Sequence, residues 1–123
     1  MISAAKRPVI LVVEDDMLIR MDAAQMIAAG EFDVIEVGNA DEAIGVLETR
    51  LDIAVVFTDI QMPGSMDGLR LAAAVRDRWP PIKIIATSGR VLIDCDELPD
   101  GGRFLSKPYS PAQILKALRE LTV

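Results

Sequence analysis

Aliphatic and β-branched runs alternate with amphipathic stretches along the whole chain, and that alternation constrains its fold more than any other feature. VILVV from Val9 to Val13, DVIEV from Asp33 to Val37, IAVVFT from Ile53 to Thr58, IKIIAT from Ile82 to Thr87 and the short RFLS from Arg103 to Ser106 read as strands. Helical spacing separates or follows them, which is the pattern of βαβ units around a parallel sheet. The strands are nearly continuous in Val and Ile, as expected where helices cover both faces. The expected fold class is therefore α/β, a doubly wound parallel (βα)5 sheet.

The helices carry start and stop signals. Met17 to Ala29 is ended by Gly30, and Asn39 with Glu42 forms a capping pair ahead of Ala43, Ile44 and Leu47. A third helix is expected over Asp67 to Trp79, stopped by Pro80-Pro81. Ser110, Pro111 and Gln113 supply an N-cap, a first-turn proline and a capping box for a last helix whose Ile114, Leu115, Leu118 and Leu121 share one face. Between Thr87 and Phe104 the pattern weakens: SGRVLIDCDELPDGGR has no clean apolar face, and Pro99, Gly101 and Gly102 interrupt it. The fourth helix is expected to be short or irregular.

Composition narrows the function. The 123 residues suit one domain over 1–123 with no output domain, so any effect has to pass through another molecule. A net charge of −6 argues against nucleic acid as a partner. No apolar run approaches the ~20 residues of a membrane span, and MISAAKRP is too brief for a secretory signal. A cytoplasmic protein is expected, consistent with the single Cys95, which has no internal disulfide partner. The chain has no histidine, which excludes a Ser-His-Asp or Cys-His site, a histidine metal ligand and a histidine general base.

In an open parallel sheet, ligands bind outside the carboxyl ends of the strands. Glu14, Asp15 and Asp16 follow the first strand, Asp59 the third, Thr87 and Ser88 end the fourth, and Lys107 follows Phe104 and the fifth. Carboxylates ~5 Å apart repel by roughly 3 kcal/mol at an effective dielectric near 20, so such a cluster holds either protons or a cation. Oxygen donors alone favour Mg2+ or Mn2+ over zinc. With that charge and Lys107 drawing on a phosphoryl group, Asp59 becomes a nucleophile. Plainer roles stand beside these: Asp15 or Asp16 as a helix cap, Thr87 as an ordinary strand end, Phe104 as core, Lys107 as a solvated amine, and Met17, Met21 and Met26 as core filling and surface. Arg76, Asp77 and Arg78 read as a solvated helix end.

The text LVVEDD, FTDIQMPG with its following MDG, IIATSG and FLSKPYS, in this order and spacing, resembles the receiver domain of two-component response regulators over essentially the whole chain, in the stand-alone form typified by the chemotaxis regulator. The resemblance implies a flavodoxin-like strand order 2-1-3-4-5. It implies that Asp59 accepts a phosphoryl group from a histidine kinase or histidine phosphotransfer protein. It also implies that Glu14, Asp15, Asp59 and the Gln61 backbone carbonyl hold Mg2+. Thr87 would bond the aspartyl phosphate, Lys107 would pair with it, Phe104 would change rotamer as Thr87 moves, and Lys107-Pro108 would be cis. A downstream protein partner is implied and not identified, and homodimerisation stays open. The sequence departs from the family pattern in the extra loop residue Ser65, in Ser88-Gly89 after Thr87, and in the weak fourth helix.

The domain is expected not to be an enzyme beyond assisting its own phosphorylation and dephosphorylation. An aspartyl-phosphate hydrolase would carry a second acid two residues after the nucleophile, where this chain has Gln61. A flavodoxin-like FMN binder would not place three acids where the phosphate loop belongs. A receiver that signals by protein contact without phosphorylation is the remaining alternative.

Overall fold

A computed structural model describes residues 7–61, 67–89 and 102–122. The Pro63-Gly64-Ser65 stretch, Cys95 and the region of the expected fourth helix lie outside the described residues. The elements are β1 Val9–Val13, α1 Met17–Ala29, β2 Asp33–Val37, α2 Ala40–Thr49, β3 Ile53–Asp59, α3 Gly68–Arg78, β4 Lys83–Ser88, β5 Arg103–Ser106 and α4 Pro111–Leu121. Strands one, two and five have the bounds read from the sequence. The third runs one residue further, to Asp59 itself, and the fourth is displaced one residue, to Lys83–Ser88, because its ladder with β3 starts at Lys83 and carries Thr87 opposite Asp59.

All strands pair in parallel, in the order β2-β1-β3-β4-β5. Successive side chains of a strand point to opposite faces, and each face has its own core. Leu11, Val13, Val56 and Ile84 pack with Leu47 of α2 and with Leu71, Ala72 and Val75 of α3. Ile10, Val12, Val55, Phe57 and Ile85 pack with Ala23 and Ile27 of α1 and with Ile114, Ala117 and Leu118 of α4. This two-sided burial is why β1 and β3 lack polar alternation.

The caps explain where the helices begin. Asn39 Oδ1 accepts the Glu42 amide at 2.8 Å, Asp67 accepts the Arg70 amide at 2.9 Å, and Ser110 and Gln113 form the reciprocal capping box. Asp67 and Trp79, read as helix ends, stand one residue outside α3 as its caps. At the end of α1 the left-handed residue is Glu31, with φ 70°, and not Gly30; Gly30 instead lies under the Leu115 side chain. Arg78 is more than a solvated residue, since it bonds Glu48 of α2 at 2.9 Å and lies 4.3 Å from the Trp79 ring centroid.

Candidate functional site

The carboxyl ends of β1 and β3 bring Glu14 and Asp59 together. Both residues are buried, 4% and 7% exposed, whereas Asp15 is exposed. One carboxylate oxygen from each of Glu14, Asp15 and Asp59 lies within 4.8 Å of the others. They share a cleft of about 430 Å³ with Asp16, Ile19, Gln61, Gly89 and Lys107. Lys107 reaches in from the turn after β5, its ammonium 2.7 Å from Glu14 Oε1 and 3.4 Å from Asp59 Oδ2. The Lys107-Pro108 bond is cis, as the resemblance implied.

These contacts set the electrostatics. Burial, reinforced by the Asp59 charge and by Asp15, pushes the Glu14 carboxyl up to about 7 against the opposing bonds from Lys107 and the Asp16 amide. Burial pulls the Lys107 ammonium the other way, but the Glu14 hydrogen bond and the Asp59 and Glu14 charges outweigh it and hold the amine above its ordinary value. Tyr109 is raised to about 12 by burial and then by the Glu14, Asp22 and Asp59 charges, and its ring meets Phe57 edge-on at 5.6 Å.

Of the acids after β1, Asp16 has the structural role. Its Oδ1 accepts the Leu18 and Ile19 amides at 2.9 and 3.1 Å as the N-cap of α1, so it stands outside the three-carboxylate cluster. Thr87, 1% exposed, is the register partner of Asp59 on β4. Phe104, across from Ala86 on β5, is half-buried against Ala86, Ile60 and Leu69. Gln61 lines the cleft and its side-chain oxygen accepts a bond from Ser88 Oγ at 3.3 Å. A Cβ on Gly89 would sit 3.6 Å from Lys107 Cβ, an ordinary contact, so this glycine is not sterically required.

Four further residues shape the site and were not singled out in the sequence. Thr58 Oγ1 donates to the Asp59 carbonyl at 2.9 Å. Gly68 donates its amide to the Ile60 carbonyl, and a Cβ there would collide with the Asp59 carbonyl and lie 2.7 Å from Ile60 Cα. Arg20 donates to the Glu14 carbonyl at 2.9 Å, and Tyr109 follows the lysine turn. Their signals are contextual: a glycine opening a helix, or an arginine one turn past an acidic run, has no chemistry of its own until the fold brings it to the site.

A second cleft, of about 610 Å³, adjoins the first through Lys107 and is lined by Leu18, Ile19, Asp22, Met26, Pro108 and Tyr109. Met17 and Met21, read as core filling and surface, are 59% and 46% exposed, while Met26 packs partly into the core.

A two-sided parallel sheet of order 2-1-3-4-5, with buried acids and a lysine at its carboxyl edge, defines the class as a flavodoxin-like α/β domain with an anionic strand-end site. The chain belongs to the response regulator receiver domain family, which matches residues 10–119. It is 31% identical over 121 residues to the hydrogenase transcriptional regulatory protein HoxA of Cupriavidus necator, covering 94% of this chain and 24% of that protein. It is 30% identical over 117 residues to the transcriptional regulatory protein PdtaR of Mycobacterium tuberculosis, covering 93% and 56%. The crystal structure of a response regulator receiver protein from Sinorhizobium medicae superposes with a TM-score of 0.85 at 27% identity, covering 94% of each chain. This chain thus spans about a quarter and about half of those two curated relatives, and it is a receiver domain of two-component response regulators. Among the described residues, no helix is long and apolar enough to cross a membrane.

Proposed function

We propose that this receiver domain takes a phosphoryl group onto Asp59 from the phosphohistidine of a histidine kinase or a histidine phosphotransfer protein. The observation that carries the reading is the convergence of Lys107 on two buried carboxylates, 2.7 Å from Glu14 and 3.4 Å from Asp59. In the transfer, an Asp59 carboxylate oxygen forms a bond to phosphorus as the donor's phosphorus–nitrogen bond breaks, and the electron pair of that bond returns to the imidazole. Lys107 stands where its charge meets the phosphoryl oxygens, and the burial of Asp59 keeps competing water away from the new acyl phosphate.

Three carboxylates within 4.8 Å of one another, one pushed up by burial and its neighbours, fit a hard divalent cation with oxygen donors. Glu14, Asp15 and Asp59, with the Gln61 backbone carbonyl, would hold Mg2+, and Mn2+ suits the same donors. Such an ion supplies positive charge that offsets repulsion between Asp59 and the incoming phosphoryl group.

Thr87 is the register partner of Asp59 and Phe104 that of Ala86; in this reading Thr87 would bond the new phosphate through its hydroxyl, and Phe104 would turn into the space that Thr87 leaves. The change then alters affinity for a downstream protein by population shift. The apolar shoulder of Leu18, Ile19 and Met26 beside Lys107 offers a protein donor contact area next to the acceptor. The reading makes the domain a cytoplasmic switch that assists only its own phosphorylation and dephosphorylation, with no direct contact to nucleic acid and with homodimerisation as one route of output. Gln61 stands where an aspartyl-phosphate hydrolase needs an acid, which favours a switch over an enzyme.

Asp59→Asn tests the assignment. It is expected to abolish uptake of alkali-labile phosphate from a phosphorylated donor while leaving the circular dichroism spectrum unchanged. Labelling of that variant at the wild-type level would remove Asp59 from the role.

A further inference from the structure

We infer that Arg20 is a positioning residue for the acidic cluster, acting through the peptide that joins Glu14 to Asp15. The inference rests on the cation-holding role proposed for those two acids.

The β1–β2 ladder continues one residue past β1, through the Glu14 amide to the Val37 carbonyl at 3.2 Å. Beyond that point the chain leaves the sheet, and α1 does not begin until Met17. The Glu14 carbonyl at this exit is taken by Arg20 Nη1 at 2.9 Å, reaching back from the first turn of α1. The same guanidinium presents Nε to Glu36 Oε1 of β2 at 3.6 Å, and Gly38 leaves it room, since even a Cβ there would stand 3.4 Å from Nη1. Arg20 therefore ties α1, the end of β1 and the edge strand β2 to one another.

The carbonyl it holds belongs to the peptide plane between two consecutive acids. Holding that plane restrains ψ of Glu14 and φ of Asp15, and so fixes the direction in which Asp15 leaves the ladder-held Glu14 relative to Asp59, which is anchored on another strand. Glu14 is otherwise fixed at its side chain by Lys107 at 2.7 Å and by the Asp16 amide at 3.3 Å. A cation entering among the acids competes with the Lys107 contact, which leaves the backbone contacts to hold Glu14 in place. A charge-assisted bond from a planar guanidinium suits that task better than a single ammonium, because its second nitrogen has an independent anchor on β2.

The test is calorimetric Mg2+ titration of the wild-type chain, Arg20→Met and Arg20→Lys, alongside amide NMR spectra of the metal-free proteins. Arg20→Met is expected to weaken Mg2+ binding about tenfold, the scale of one lost charge-assisted hydrogen bond. The Asp15 and Asp16 amides should shift in the metal-free state, and Arg20→Lys should recover part of the affinity. A purely structural arginine would lower the melting temperature and leave the affinity of the folded protein alone. Should Arg20→Met fail to fold, Arg20→Gln replaces it. Mg2+ affinity within about twofold of wild type in that comparison would overturn the inference while leaving the phosphoryl reading in place. Absence of Mg2+ binding by the wild-type chain would overturn both.

Discussion

At the scale of single residues, Glu14 concentrates the chemistry of the site. Its carboxyl lies on the core side of the cleft, next to Asp59 and under Lys107, and burial raises it from 4.5 to about 7. A carboxyl raised in the folded state is protonated there at pH values where the unfolded chain has already lost the proton. Its contribution to stability is present below about pH 4.5 and is lost as pH rises through about 7. In EDTA, the melting temperature of wild type relative to Glu14→Gln should therefore fall between about pH 5 and about pH 7. With Mg2+ present the sign reverses, because the proton has to leave before the carboxylate can bind a cation, so affinity should weaken as pH falls below about 7. Thermal scans across pH, with and without the ion, check both statements, and a Glu14→Gln profile parallel to wild type would refute the first. Residue identity singled out Asp59, Asp15, Thr87 and Lys107 before folding, and the structure brings Asp15, Asp59 and Lys107 into one cleft with Thr87 opposite Asp59 on β4. It could not separate Asp16, which caps α1, from the two acids beside it.

Elements were legible where local chemistry and burial agree. Each of α2, α3 and α4 starts at a side chain that satisfies an otherwise unpaired amide, so their N-termini follow from short-range bonding. The last helix shows this most completely: Ser110 Oγ accepts the Gln113 amide at 3.1 Å and Gln113 Oε1 accepts the Ser110 amide at 2.7 Å. Ser110→Ala is expected to cost about 1 kcal/mol in urea unfolding, with an unchanged m-value. A cost near zero would mean the first turn is held by Ile114 packing alone. In α1 the agreement is weaker. Its inner side buries Ala23, Ala24 and Ile27, while Met17, Leu18, Ile19 and Met21 remain exposed, so periodicity places the helix without saying that its first turns are apolar towards solvent. That surface meets the site directly through Ile19, and the Pro108-Tyr109 turn folding beside it makes the second cleft.

At the scale of the whole molecule, the sheet holds the acids together against their own repulsion, and an ion bound only by the folded chain adds to its stability. Mg2+ at about ten times its dissociation constant should stabilise by about 1.4 kcal/mol, or roughly 5 °C in melting temperature for a domain of this size. A melting curve indifferent to Mg2+ up to millimolar levels would mean that the carboxylates form no cation site. The sequence by itself determined the α/β class, the strands and most helix starts, because two-sided burial writes continuous apolar runs and caps act within a few residues. It also determined the type of site, through the absence of histidine and the acids and lysine at strand ends. Only the tertiary structure decided that Glu14 and Lys107, 93 residues apart, meet at 2.7 Å. It likewise decided that Gly68 must be small to clear the Asp59 backbone and that Arg20 turns back onto the Glu14 carbonyl. The physical reason is range: propensity, capping and burial pattern act between neighbours in sequence, whereas these contacts join residues whose proximity is created by strand order and register.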